Sequence, residues 1–425
     1  MPKADSYIVA IDIGSSKIGV LIGQRDEHGA LEVVGKGVAI NRGTRRGNIV
    51  NVEATVDALK QATEEAEVMA GIEVSRAYIG VAGTDIRSIN SRGMVSVAKK
   101  DQDREITRQD IGRVLEAAQS AALPSDREIL HAIPQDFIVD EQGGISDPMG
   151  MLGSRLEVAV HLVTGNITRR KTLLTCINRA GIEVIELVFE PLATAEAVLT
   201  HDERELGALL LDIGCGTTEY AVFADGEVQH SAVLPVGAGH FTNDLAMVLR
   251  TPFAEAEQIK VKHGCCLSGM VGEEEGISVP TVAGGPPRVV PKRELCGILQ
   301  PRAEEMLTLV RQVWIRRDPA GRSGPDWRRS AARRLPRTGG AGLQLHGALR
   351  SASGPRRPGR RDQLADLDGS LGPPALRSGL ARQTPQDSQH RFQRAWSDDQ
   401  SPRHVFGFAV GSRTTRKESR KNDSI

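Results

Sequence analysis

The chain has 425 residues, room for two or three domains at roughly 100–200 residues each, and its 40% hydrophobic but only 3% aromatic composition leaves Leu, Ile, Val and Ala to pack the cores. Formal net charge is zero, yet residues 1–314 carry 31 Lys and Arg against 44 Asp and Glu, while residues 315–425 carry 23 against 10, so the two segments do not read as one core. Five cysteines without a CxxC pair make a poor disulfide framework, and no run approaches the ~18 apolar residues of a membrane span; a reducing, cytoplasmic setting without a signal peptide is expected, with any membrane contact peripheral.

Tyr7 to Asp12 is a β-prone run that ends in Gly14-Ser15-Ser16, and residues 17–23 (KIGVLIG) and 31–40 continue as strands of a hairpin-rich opening. Val52, Val56, Leu59, Ala66 and Met69 then recur at helical spacing behind Asn51, a fitting N-cap. Residues 76–81 (RAYIGV) are a strand. From Thr84 to Val163 the texture changes. Thr107 and Asp110 form a capping-box signature ahead of Ile111, Val114, Leu115 and Ala118, and residues 128–140 and 156–163 are strands around a loop, which together read as a small α+β insertion. Residues 166–199 return to helix, strand and helix. A second strand–turn–strand starts at Ala208, and helical stretches follow at 241–249 and 252–261.

Two segments carry the strongest signal. Residues 11–16 (IDIGSS) and 211–218 (LDIGCGTT) each place an Asp at the end of an apolar strand, then Gly and small residues, then another strand. Gly permits the tight turn, small residues let backbone N–H groups close on phosphate oxygens, and the hydroxyls of Ser15, Ser16, Thr217 and Thr218 can add donors. An Asp at each strand end, Asp12 and Asp212, can hold Mg²⁺ through water. No GxxxxGK[ST] occurs and no GxGxxG opens a helix, which sets aside P-loop and dinucleotide-binding folds. His131 and His161 lie in apolar strand runs and read as structural rather than metal-binding.

The paired loops resemble those of the actin, heat-shock-70 and sugar-kinase superfamily. Residues 189–193 (FEPLA) resemble its connecting segment between lobes, and 256–262 (AEQIKVK) its adenosine-contacting helix. The resemblance implies an α/β, actin-like two-lobed ATPase fold with duplicated β-hairpin phosphate loops, and ATP and Mg²⁺ as cofactors. It implies ATP binding by Gly14, Ser15, Ser16, Lys17, Gly214, Gly216, Thr217 and Thr218, adenosine contact by Glu257 and Lys260, and positioning of Mg²⁺ or attacking water by Asp12, Glu190 and Asp212.

Residues 84–163 resemble the inserted subdomain of the FtsA family, the actin homologue of the bacterial divisome. The resemblance rests on 131–137 (HAIPQDF), 148–151 (PMGM) and 160–165 (VHLVTG), with 234–237 (LPVG) and 250–252 (RTP) outside it, and runs over residues 5–312. It implies an ATP-binding cell-division scaffold with at most weak hydrolysis. Such a scaffold self-associates into filaments, meets later divisome proteins and links the FtsZ ring to the cytoplasmic face of the inner membrane at the division site; no nucleic acid is implied. The parts expected are 1–84 and 164–199 for the first lobe, 85–163 for the FtsA-type insert, 200–312 for the second lobe and 313–425 for an atypical tail. A PilM-like pilus-assembly scaffold and a small-molecule kinase of the same superfamily are the competing readings.

After about Gln312 the chain is Arg-, Gly- and Pro-rich without a sustained period, as disorder or reading-frame slips in the recorded gene would produce. Residues 337–342 keep a trace of a Gly-rich adenosine loop, with Gly339 and Gly340 as ATP-binding candidates, but the charged, Pro-containing stretch before it does not suit a buried strand. Residues 413–425 have no apolar face for an amphipathic membrane helix.

Overall fold

The computed structural model describes residues 7–25, 31–97, 104–120, 123–272, 276–282 and 285–316. The first lobe opens with β1 (Tyr7–Ile13), β2 (Lys17–Arg25) and β3 (Leu31–Ile40), a short hairpin of β4 (Thr44–Arg45) and β5 (Asn48–Ile49), helix α1 (Val52–Ala70) and β6 (Arg76–Val81). The insert follows with β7 (Arg87–Ser96), β8 (Arg104–Glu105), α2 (Arg108–Gln119), β9 (Arg127–Val139), β10 (Gln142–Ile145), β11 (Leu152–Gly153) and β12 (Arg155–Asn166). The chain returns through α3 (Ile167–Arg179), β13 (Glu183–Phe189) and α4 (Glu190–Val198). It then builds the second lobe from α5 (His201–Leu206), β14 (Ala208–Ile213), β15 (Thr218–Ala224), β16 (Glu227–Leu234), α6 (Ala238–Leu249), α7 (Phe253–His263), β17 (Gly276–Val279), β18 (Arg288–Pro291) and α8 (Lys292–Arg316).

The first lobe is a five-stranded mixed sheet in the order β13-β6-β1-β2-β3. Alternation along β1 and β2 turns Val9, Ile11, Ile18, Val20 and Ile22 to one face, where they meet Leu59, Ala62 and Ala66 of α1 and Ile177 of α3. The same alternation turns Asp12 to the opposite face. Helix α1 starts where Asn51 accepts the Ala54 N–H at 3.1 Å and stops at Gly71 in a left-handed conformation.

The second lobe carries the antiparallel sheet β14-β15-β16. One face meets α4 through Ala195, Leu210, Ala221 and Phe223; the other packs Tyr220, Val222 and Leu234 against Val310 of α8. A further core gathers α6, α7, β17, β18 and α8 around Leu245, Ile259, Val279 and Leu295. Helix α8 passes through residue 312, where the sequence reading placed the break, and is described as far as Arg316. Among the described residues no helix is long and apolar enough to cross a membrane.

The insert is a four-stranded sheet, β10-β9-β12-β7, covered by α2 through Val114 and Ala118. Asp110 starts that helix: it accepts from the Thr107 N–H at 3.0 Å and from Arg104 at 2.7 Å, and the guanidinium holds its carboxyl well below the usual range. Pro134 sits inside β9 at an irregularity in which Ala159 faces Asp136 and Val160 faces Pro134, leaving Gln135 as the extra residue. Gln135 is thereby free to donate to the carbonyl of Val228, in the second lobe, at 2.6 Å. Asn90 donates to Gln229 O at 3.0 Å, and Ser88 donates to Ser231 O. His161 joins the same seam, its Nδ1 2.6 Å from Asn90 Oδ1 and its Nε2 2.9 Å from Ser231 Oγ. Because the Asn90 oxygen only accepts, the imidazole proton belongs on Nδ1 and Nε2 takes the Ser231 hydroxyl.

Candidate functional site

The loop between β1 and β2 is braced from behind. Asn41, almost fully buried, donates from Nδ2 to Gly14 O at 2.8 Å, and its backbone N–H donates to Ser16 O at 2.9 Å. The Ser15 hydroxyl accepts the Gly47 N–H at 2.9 Å. Gly47 and Arg46 form the tip of the β4–β5 hairpin, both with positive φ, as a two-residue turn of the hairpin type requires. The loop between β14 and β15 is braced by α6, whose first amides, Ala238 and Gly239, donate to Gly214 O and Cys215 O, each at 2.8 Å.

These three turns meet. A Cβ at Gly216 would lie 2.8 Å from Ser15 Oγ and 2.9 Å from Arg46 Cα, so the second hairpin can approach the first only because residue 216 lacks a side chain. A Gly-and-hydroxyl pattern marks two of these turns in the sequence; the third carries only the glycine of Arg46-Gly47.

Behind the turns lie four carboxylates. Asp12 is the last residue but one of β1; Glu190 opens α4 and lies over Gly80, whose absent Cβ would stand 3.2 Å from its Oε1. Asp212 faces Glu219 across the β14–β15 ladder, and Thr194 of α4 donates to Asp212 Oδ2 at 2.9 Å. Burial pushes Asp12 up to about 6, with the Asp212 charge adding to it and Lys17 opposing it. Burial likewise raises Glu190 well above its ordinary value, with Asp12, Glu219 and Asp212 adding to it. Burial also raises Asp212 and pushes Glu219 up to about 8. Glu219 hydrogen-bonds Thr217, while its Oε1 is buried without a partner. An acidic residue in the otherwise apolar strand TEYAVFA was the available signal, and the sequence reading passed over it.

The remaining candidates divide. Gly14, Ser15, Ser16 and Lys17 line or follow the first turn and Gly214, Gly216 and Thr217 the second, so the structure brings these together. Thr218 is a correction. Strand alternation turns it to the opposite face of β15, where it is fully buried and its hydroxyl donates to Val236 O at 2.7 Å, so it cannot add a donor to the turn. Glu257 and Lys260 sit together on α7: Lys260 Nζ donates to Glu257 Oε2 at 2.7 Å, Thr242 Oγ1 at 2.8 Å and Ala238 O at 3.0 Å. All three ammonium donors are engaged, which ties α7 to the helix that backs the second turn. Gly339 and Gly340 lie outside the described residues. His131 and His161 are structural as expected, and burial pushes them down to about 4 and about 3.

Residues 83–164 match the family model described as the SHS2 domain inserted in FTSA, and residues 209–379 match the one described as cell division protein FtsA. The second match runs past residue 312, so the likeness extends further than the sequence reading took it. The chain is 44% identical to the cell division protein FtsA of Pseudomonas aeruginosa over 315 residues, 74% of each protein. It is 36% identical to that of Escherichia coli strain K12 over 305 residues, 72% of each. Among solved structures, a PilM-PilN type IV pilus biogenesis complex covers 73% of this chain and 79% of its own at 14% identity and a TM-score of 0.50, a likeness of fold. The fold is thus the α/β actin-like one with an SHS2 insert. Matched in insert and second lobe, and related along most of the length of its curated homologues, the chain belongs to the FtsA family of cell-division proteins.

Proposed function

We propose that the chain is an ATP-binding division scaffold that self-assembles and links the FtsZ ring to the cytoplasmic side of the inner membrane, with later divisome proteins as further partners. The observation that carries the nucleotide part is the meeting of two Gly-turned hairpins, at Ser15 and Gly216, beside a cluster of buried carboxylates. In this reading the backbone N–H groups of residues 14–16 and 214–217, with the hydroxyls of Ser15, Ser16 and Thr217, take the phosphate oxygens. Lys17 adds positive charge next to Asp12, and α7 presents Glu257 and Lys260 to the adenosine.

The residues present fit a divalent cation. The cluster is acidic, and Glu219 Oε1 is a buried oxygen in want of a partner. Among the described residues no three His, Cys, Asp or Glu side chains converge to hold an ion by themselves. An ion here would complete its shell with water and phosphate, as Mg²⁺ does. Asp12 and Asp212 would hold it through water, and when bound it would neutralise phosphate charge. Glu190 would orient a water. Without a cation, burial and the neighbouring carboxylates favour its protonated form.

Titrating the full chain with a fluorescent ATP analogue, with Mg²⁺ and with EDTA, tests the cleft: binding in neither condition would sink the nucleotide reading. Titration with an FtsZ C-terminal peptide, and ATP-dependent sedimentation, test the partners. A chain that binds ATP but neither the peptide nor itself would be a nucleotide-binding family member without the division-ring link.

A further inference from the structure

Helix α4 begins with Glu190 and Pro191 in its first turn but without a side-chain cap of its own. Its N-cap, Phe189, has no side chain that can cap, and its third residue is Leu192, which cannot return a bond to the N-cap N–H as Glu or Gln would in a capping box. The Phe189 N–H is instead taken by His131 Nε2, at 2.9 Å, from β9 of the insert. The next residue is Glu190, the carboxylate that overlies Gly80 in the cluster. Around this bond Val81, Ile86 and Val163 at the roots of the insert pack with Phe189, Leu192 of α4 and Val233 of the second lobe. One apolar knot thus joins the insert, both lobes and the start of α4.

We propose that His131 is a positioning residue: by accepting the Phe189 N–H it fixes the first turn of α4, and with it the place of Glu190, so that the insert completes the cleft although it lends no group to the ligand. The imidazole is in the right state for this. Burial disfavours its charged form, so Nε2 keeps its lone pair and Nδ1 carries the proton. The loss of such a bond leaves a buried N–H without a partner and releases the Val188–Phe189 peptide plane, one residue before Glu190, to tilt. The claim about the backbone stands on the geometry alone; its effect on a ligand rests on the nucleotide reading above.

The test uses the full chain with His131→Leu, which fills the space but accepts nothing, and His131→Gln, whose amide oxygen can reach the same N–H. Hydrogen exchange over residues 187–192 is followed without nucleotide. Binding of a fluorescent ATP analogue is measured with Mg²⁺ and with EDTA. His131→Leu is expected to speed exchange of the segment and to weaken Mg²⁺-dependent binding, each by roughly two- to tenfold, the ratio set by one net hydrogen bond. Binding in EDTA is expected to stay unchanged, and His131→Gln to restore both. Parent-like exchange in the His131→Leu variant would overturn the proposal. So would a failure of the Gln variant to rescue, or an equal loss of binding with and without Mg²⁺. If the parent chain binds no nucleotide, the cleft reading falls, and the exchange arm alone still decides the role of His131.

Discussion

Gly216 and Ser15, 201 positions apart in a duplicated pattern, touch: a methyl at 216 would stand 2.8 Å from Ser15 Oγ, with the Arg46 backbone 2.9 Å away on another side. Backbone cannot swing aside as the Ser15 side chain can, so Gly216→Ala must push the second hairpin off the β4–β5 turn, and with that away from Ser15. Affinity for an ATP analogue is expected to fall by on the order of tenfold, as misplaced binding groups do. An unchanged dissociation constant would mean that the contact of the turns is not needed for the grip.

The carboxylate cluster gives the empty protein a pH signature. Glu219 is raised by burial from 4.5 to about 8, and Asp12 from 3.8 to about 6. Between the unfolded and folded values the unfolded chain releases a proton that the folded chain keeps. Stability is therefore full below the unfolded values and is lost as pH rises toward about 8. Glu219→Gln is expected to flatten the upper part of that slope and to be more stable than the parent at alkaline pH. Denaturant unfolding across the range checks it; an unaltered slope would count against a neutral, buried Glu219.

Thr194 holds Asp212 with a single hydroxyl at 2.9 Å. Thr194→Val keeps the shape and removes the donor, and is expected to cost about 1–3 kcal/mol of stability and to raise the Asp212 pKa further. Thr194→Ser, which keeps the hydroxyl, should lose much less in the same unfolding measurement. Equal losses would place the effect in packing.

The two insert histidines act at the acid end. Burial lowers His131 from 6.5 to about 4, and burial with the nearby His230 lowers His161 to about 3. An unfolded chain takes up these protons near 6.5 while the folded chain refuses them, so stability is full above that value and falls as pH drops toward about 4 for His131 and about 3 for His161. Imidazole proton shifts for both residues should stay flat through pH 6.5 in the native protein; a titration there would contradict their burial as neutral rings.

Most of the architecture was legible because apolar alternation and caps announce themselves. Asn51, Thr107 and the strands of both hairpins are where the pattern put them. Strand β7, RSINSRGMVS, was not legible: it lies at a sheet edge and carries polar residues on the side that meets β16, so its sequence looks like a loop. Within the site, composition could point to the turns but not to direction. Thr217 and Thr218 are alike on paper, and only the pleat decides that one faces the carboxylates and the other the α8 side of the sheet. Glu219 went unread for the converse reason, since a strand pattern treats a lone acid as a solvent-facing residue.

The insert leaves and rejoins the chain within the first lobe, yet Asn90, Gln135 and Ser88 fasten it to backbone carbonyls of the second. Such an arm cannot follow both halves if their mutual angle changes. It must either let go of β16 or be swung about its roots at Ile86 and Val163, and a small hinge movement near the turns would then become a larger sweep at its far edge, where Met94, Met149 and Leu152 lie exposed.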